Sequence, residues 1–271
     1  MSLSAVLFLF LAHLGVGIVC TLLFVGRDAG VKFFRFNAGL AAILIAVALA
    51  FWYQDAATPG GVLHSPSALF ALELSEAALL LYWATVGRML ARVRPLIVAV
   101  AIAGGLTALL LQALNISAAW SVPARVLTVA SFLSSAALLG GACTAMILGH
   151  WYLVIPSMPV GLLQSIVKLH IASMIVRIAV VAAAVFVAIV TWEPGTGPSF
   201  RYYATSVSGI FFWQRVLFGL CGPALLSYLT WETAKIRSTQ SATGILYVDF
   251  FTVVVGEVLA KYILLATRVA V

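Results

Sequence analysis

Five ionisable residues stand inside long apolar runs of this chain: Glu73, Glu76, Arg177, Arg215 and Glu257. Counted at about 1.5 Å per residue from the ends of those runs, Glu73 lies about 10 Å and Glu76 about 15 Å below one surface. Arg177, Arg215 and Glu257 come out at similar depths. A charge placed in hydrocarbon costs about 2.5–3.5 kcal/mol on insertion scales. Carboxylates and guanidinium groups at one level should therefore pair or share protons, because an isolated buried charge is unfavourable. One polar cluster drawn from four helices is expected, acting either as a ligand or proton site or as ion pairs that lock the helices. Glu73 and Glu76 are three residues apart and share a helix face, the condition for a proton relay unless an arginine neutralises both. Glu257 and Lys261, four apart, are expected to pair within their own helix.

The histidines form a second set. His13 and His170 each lie about 15 Å from a span end, hence near the midplane of a bilayer about 30 Å thick. Two histidines at one level on different helices suit the axial ligands of a b-type haem, or donors to a quinone carbonyl. Arg177 follows His170 by seven residues with Met174 between them, so the three share a face that should point into the bundle. His150 stands in Gly149-His150-Trp151-Tyr152, ahead of Pro156-Ser157-Met158-Pro159. A polar, aromatic group beside a proline-broken turn fits a quinone head group or interfacial anchoring. His64 falls in a connection, and Lys168 and Asp249 read as interfacial. Cys20, Cys143 and Cys221 lie within spans with no CxxC or Cys-His spacing, so neither a metal cluster nor a disulfide framework is expected.

These residues need helices to hold them. Of the 271 residues 64% are hydrophobic and 8% charged, and the mean hydropathy is +1.16, whereas a soluble domain carries about 25% charged residues. The apolar runs are continuous, which excludes the alternating strands of a transmembrane β-barrel. An all-α polytopic bundle of about eight transmembrane helices is expected. The spans are Ser4–Val25, Phe33–Trp52, Ser67–Met89, Leu96–Leu114, Val126–Gly149, Leu162–Val190, Ile210–Trp231 and Ile245–Ala266, forming one domain over 1–271. Met1-Ser2-Leu3-Ser4 has no basic residue, so the first run reads as a retained helix and not a signal peptide. Pro59, Pro66, Pro95, Pro123, Pro156, Pro159, Pro194 and Pro198 fall in or beside connections. Pro223, after Gly222, should kink the seventh span. Gly104-Gly105 and Gly140-Gly141 read as close helix contacts.

Eight of the fifteen basic residues crowd alternate connections: Arg27, Lys32 and Arg35, then Arg88, Arg92 and Arg94, then Lys235 and Arg237. That bias places both termini on the non-cytoplasmic side of a bacterial inner membrane. The net charge of +7 follows from the same topology and does not indicate nucleic-acid binding.

With eight spans and a last helix reading Gly256-Glu257-Val258-Leu259-Ala260-Lys261-Tyr262, the chain resembles the eight-helix quinol-binding membrane anchor subunits of the DmsC and NrfD/PsrC type. The resemblance implies a membrane subunit of a respiratory complex that exchanges electrons between quinone or quinol and an iron–sulfur or cytochrome partner, without haem of its own. His150, His170 and His13 would hold the ring oxygen, with Trp151 and Tyr152 beside it. Glu73, Glu76 and Glu257 would carry protons, and Arg177 and Arg215 would balance charge. The midplane pair His13 and His170 keeps haem b open as an alternative. A proton-coupled transporter and a purely structural membrane subunit also remain.

Overall fold

The computed structural model describes residues 2–57, 63, 65–155, 157–192 and 199–271. His64, Pro59, Pro156, Pro194 and Pro198 lie outside these described residues. Among them the chain forms ten α-helices and no strand. The helices are α1 (Leu3–Thr21), α2 (Gly30–Ala56), α3 (Pro66–Thr85), α4 (Arg94–Ile116), α5 (Val122–Val154), α6 (Gly161–Val190), α7 (Phe200–Thr205), α8 (Ile210–Val216), α9 (Gly222–Lys235) and α10 (Thr239–Thr267). Eight segments among them are long and apolar enough to cross a membrane. The chain is a multi-pass helical membrane protein.

The helix boundaries follow local chemistry. Ser2 caps α1 by accepting from the Ala5 N–H at 3.1 Å, and its hydroxyl donates to Asp55 at the end of α2. Proline occupies the first turn of α3, α4, α5 and α9, where a missing N–H costs no intrahelical bond. For that reason α5 starts at Val122, ahead of the expected Val126, and it runs on through His150 to Val154. The third span stops at Thr85, short of the expected Met89, because the chain turns at Gly87 with φ 76°. A Cβ there would come within 2.3 Å of Val31, so only glycine fits.

The seventh span, Val207–Lys235, is not a single α-helix. Between α8 and α9 the residues Leu217–Cys221 form a π turn, immediately before Gly222-Pro223. The expected kink is thus resolved as a π segment, which takes up the register that proline disrupts.

α1 lies at the centre, buried along most of its length and packed on α2, α4, α5 and α10. It can be enclosed on so many sides because it carries Gly15 and Gly17. A Cβ on Gly17 would lie 2.0 Å from the Ala136 carbonyl oxygen, and one on Gly140 2.1 Å from the Gly17 carbonyl carbon, so α1 and α5 cross with their backbones in contact. Gly104 makes a similar approach to α3, where the Ser75 hydroxyl donates to the Ala101 carbonyl at 2.6 Å. Further round, α5 packs on α6 and α10, α10 on α9 and α8, and α3 on α4 and α2. Large apolar side chains such as Phe70, Phe186 and Phe251 face outward, as the bilayer as solvent allows.

Candidate functional site

α6 and α10 bring the buried charges together. On α10, Asp249, Glu257 and Lys261 are spaced eight and four residues apart; on α6, His170 and Arg177 are seven apart. Each set therefore lies on one helix face. The Glu257 carboxylate, fully buried, is the hub. Arg177 grips it with both prongs, Nε to Oε1 at 2.9 Å and Nη2 to Oε2 at 3.1 Å, the planar fork matching the carboxylate. Arg215 Nη2 donates to Oε1 at 2.7 Å, and the Ser135 hydroxyl donates to Oε2 at 2.5 Å. Lys261 Nζ stands 3.5 Å from Oε2 and 2.6 Å from the Ser135 oxygen. His13 Nδ1 is 3.1 Å from that same oxygen. Because the single Ser135 proton points at Glu257, Nδ1 must be the donor in this contact.

The remaining donors are also engaged. Arg177 Nη1 donates to the Ser131 hydroxyl at 2.7 Å and to the Ser131 carbonyl at 3.2 Å, and Nη2 to the Val271 carbonyl at 3.0 Å. Val271 reaches that point because Arg268 takes a left-handed conformation, φ 60°, and turns the chain back into the bundle. Arg215 Nη1 donates to the Gly219 carbonyl at 2.8 Å. In an unbroken α-helix that carbonyl would serve the N–H of residue 223, but Pro223 has none, so the π turn frees an acceptor for the arginine. The result is three buried cations, Arg177, Arg215 and Lys261, around one buried carboxylate.

A second polar layer lies two helical turns away along α6 and α10. His170 Nε2 is 2.7 Å from Asp249 Oδ2, with both side chains fully buried. Asp249 was expected at the interface. It is deep because α10 begins at Thr239, not Ile245, which sets Asp249 about 15 Å from the helix start.

Two expected members of the cluster lie elsewhere. Glu73 accepts from the Tyr53 hydroxyl at 2.7 Å on a partly exposed face. Glu76 is 8% exposed, and its Oε2 is buried without a hydrogen-bond partner among the described residues. Both sit on α3, which packs on α2 and α4, whereas the cluster lies among α1, α5, α6, α8 and α10. Position along a helix does not fix which way a side chain faces around the bundle.

His150, Trp151 and Tyr152 do not converge on one site. The Tyr247 hydroxyl lies 2.9 Å from His150 Nδ1 on an exposed face. Trp151 packs edge-on against Phe33 with centroids 5.7 Å apart. The Tyr152 hydroxyl donates to the Pro159 carbonyl and accepts from the Leu163 N–H at 3.3 Å, clasping the turn between α5 and α6.

The two histidines expected as a pair, His13 and His170, make different contacts. His170 Nε2 faces Asp249, and its Nδ1 faces α5, where a Cβ built on Gly141 would stand 3.5 Å away. His13 contacts Ser135 and lies edge-on to Phe132, with centroids 4.6 Å apart. His170 Nε2 would have to leave Asp249 to ligate iron, whereas His13 Nε2 is buried with no hydrogen-bond partner among the described residues. Among the described residues no three His, Cys, Asp or Glu side chains converge as a metal site.

Beyond the Val271 carbonyl, at the end of the bundle where α10 finishes, lies a cavity of about 480 Å³. Thr128, Thr191, Trp192, Phe200, Tyr203 and Arg268 are part of its wall. The Tyr203 hydroxyl is buried and has no hydrogen-bond partner among the described residues. Sequence reasoning gave Tyr203 no place in the site and passed over Ser131 and Ser135. Thr128, Ser131 and Ser135 recur at i, i+3 and i+7 of α5, a polar stripe that could have marked the helix face turned to the charges.

Ser135 makes a direct test of the hub. Ser135→Ala removes a donor to Glu257 and an acceptor for both Lys261 and His13, leaving buried polar groups unmatched. A loss of about 1–3 kcal/mol of stability is expected, read as a lowered melting temperature of the detergent-purified protein; an unchanged melting temperature would show that the hydroxyl is dispensable.

No protein-family model matches the chain, and comparison with curated proteins likewise gives no match.

Proposed function

We propose that this chain is the membrane subunit of a quinone-linked electron-transfer complex, in which the buried residues of α6 and α10 move protons to or from a quinone or quinol head group bound near Tyr203. The reading rests on one observation. Ionisable side chains occupy two successive buried layers of the same helix pair, His170 with Asp249 and then Glu257 with Arg177, Arg215 and Lys261, and beyond the second layer lies the cavity with the unpartnered Tyr203 hydroxyl. Buried ionisable residues in a membrane bundle mark proton or substrate paths. Thr128, Thr191 and Tyr203 supply hydroxyls that could hold a ring oxygen. A quinol, when bound, supplies two electrons and two protons. The Ser135 hydroxyl touches Glu257, Lys261 and His13, and so links three groups able to hold a proton.

The eight spans and the Gly256-to-Tyr262 segment, which carries both Glu257 and Lys261, agree with the resemblance to anchor subunits of the DmsC and NrfD/PsrC type. In this reading the basic connections face the cytoplasm of a bacterial inner membrane, and electrons pass to an iron–sulfur or cytochrome partner subunit. A second reading, a proton-coupled transporter, is favoured by the π turn at Leu217–Cys221, because interrupted helices with freed carbonyls beside buried charges also form transport sites.

Titrating the detergent-purified protein with a short-chain quinone tests the proposal through quenching of tryptophan fluorescence, since Trp192 lines the cavity. Saturable quenching is expected, weakened about five- to tenfold by Tyr203→Phe, the loss of one hydrogen bond. Absence of saturable quenching in the unaltered protein would remove the quinone reading.

A further inference from the structure

A second cavity, of about 610 Å³, lies at the other end of the bundle, among the end of α1, the start of α2, α3 and the first turns of α4. Leu22, Phe34, Leu79, Val98 and Leu106 make most of it apolar, and Arg27 and Arg94 stand in its wall with Tyr82. We propose that this cavity binds one anionic phospholipid, with an acyl chain in the apolar groove and the phosphate between Arg27 and Arg94. The inference is independent of the quinone reading, since the two cavities share no residue.

Charge is the first argument. No acidic residue lines the cavity, and among the described residues neither Arg27 nor Arg94 has an ion-pair partner. The nearest acid in sequence, Asp28, is exposed in the same short turn and does not reach the wall. Arg94 Nε is buried and makes no hydrogen bond among the described residues. Arg94 also opens α4, where the helix dipole is positive and a cation is disfavoured. An anion in this space would give Arg94 and Arg27 the counter-charge that the wall does not supply.

The apolar part of the wall decides which anion. A free phosphate would leave the leucine, valine and phenylalanine surface uncovered, whereas an amphiphile covers both. Leu23 and Leu106, 63% and 37% exposed, stand where the groove opens sideways to the bilayer. Its floor, Leu79 and Tyr82 of α3, is buried, so the site is a recess between helices and not the outer annulus. The cavity lies at the end that carries the eight clustered basic residues, and basic recesses between transmembrane helices on such a face suit anionic lipid head groups.

The test is native mass spectrometry of the full-length protein, purified in detergent, stripped of lipid and then titrated with phosphatidylglycerol or with phosphatidylcholine of the same acyl chains. One phosphatidylglycerol is expected to stay bound per chain at concentrations where phosphatidylcholine does not. Arg27→Gln with Arg94→Gln should weaken that binding at least about tenfold, at about 1 kcal/mol per basic residue near a membrane surface. Arg92→Gln, exposed at the same end but outside the cavity, should leave it unchanged. Ala103→Phe, which fills the groove from the lipid-facing side of α4, should abolish retention, and it keeps the test available should the double variant fail to accumulate. Equal retention of the two lipids, unchanged binding in Ala103→Phe, or displacement of the lipid by millimolar inorganic phosphate would each overturn the proposal.

Discussion

Replacing Glu257 with glutamine is expected to cost about 3–5 kcal/mol of stability, the usual penalty for removing one partner from a fully buried ion pair. The size follows from what stays behind. Arg177, Arg215 and Lys261 are all buried, and among the described residues Glu257 is the one acidic side chain that meets any of them. Glutamine keeps the volume and one acceptor oxygen but has no charge, and its NH₂ would face guanidinium or ammonium donors. A total folding stability of about 5–15 kcal/mol leaves little margin for such a loss. The melting temperature of the detergent-purified variant should fall by about 10 °C. Adding Arg215→Met should recover part of that loss, because it removes one stranded cation. If the proposed function holds, quinone-linked proton uptake should not recover with it, because the carboxylate is still missing. That separation distinguishes a proton site from a lock: recovery of stability and turnover together would mean that the cluster only holds α6, α8 and α10 in place. A Glu257→Gln protein as stable as the unaltered one would contradict the geometry of the hub.

The part of this arrangement that sequence could supply was depth. The eight spans, the burial of Arg177, Arg215 and Glu257, and the Glu257–Lys261 pair follow from counting residues along apolar runs. Direction could not be counted. A helix apolar on every side has no moment to say which face looks inward, and between helices in lipid there is no hydrophobic force to impose one. Glu76 and Glu257 are both buried, yet Glu76 lies on α3, which packs on α2 and α4, and Glu257 in the cluster among α1, α5, α6, α8 and α10. The central place of α1 is set by Gly15 and Gly17, which allow backbones to touch, a signal that becomes specific only once the partner residues, Ile45 and Gly140, are known. Asp249 was misplaced for a simpler reason: Thr239 to Gly244 reads as a polar connection, but it forms the first turns of α10. Tyr203 stood out only when its hydroxyl was seen buried and unpartnered beside a cavity.

The closest backbone approach in the site gives the other large expectation. A Cβ on Gly256 would lie 2.2 Å from the Gly219 Cα and 3.0 Å from Arg215 Nη1, and a Cβ on Gly219 would lie 2.5 Å from the Gly256 Cα and 2.3 Å from the same nitrogen. At these distances the obstacle is main chain, which cannot rotate aside, so α10 itself must move. Gly256→Leu should therefore push α10 away from the π turn, lengthen the 2.7 Å contact between Arg215 and Glu257, and separate Arg215 Nη1 from the Gly219 carbonyl. Overpacking a well-filled interior costs about 1–3 kcal/mol, and loss of a buried charge pair adds to it. The substitution should thus approach Glu257→Gln in effect without changing any charge. Gly256→Ala should be milder, and its cost can be traced. In a double-mutant cycle on melting temperature, Gly256→Ala and Arg215→Met should be strongly non-additive, because much of the glycine's value is the space it leaves for that guanidinium. Additive losses would mean that Gly256 serves only the helix crossing. Coupling would show instead that the small residue beside Glu257 sets the position of the charge, so that the Gly-Glu pair of the last span acts as one unit.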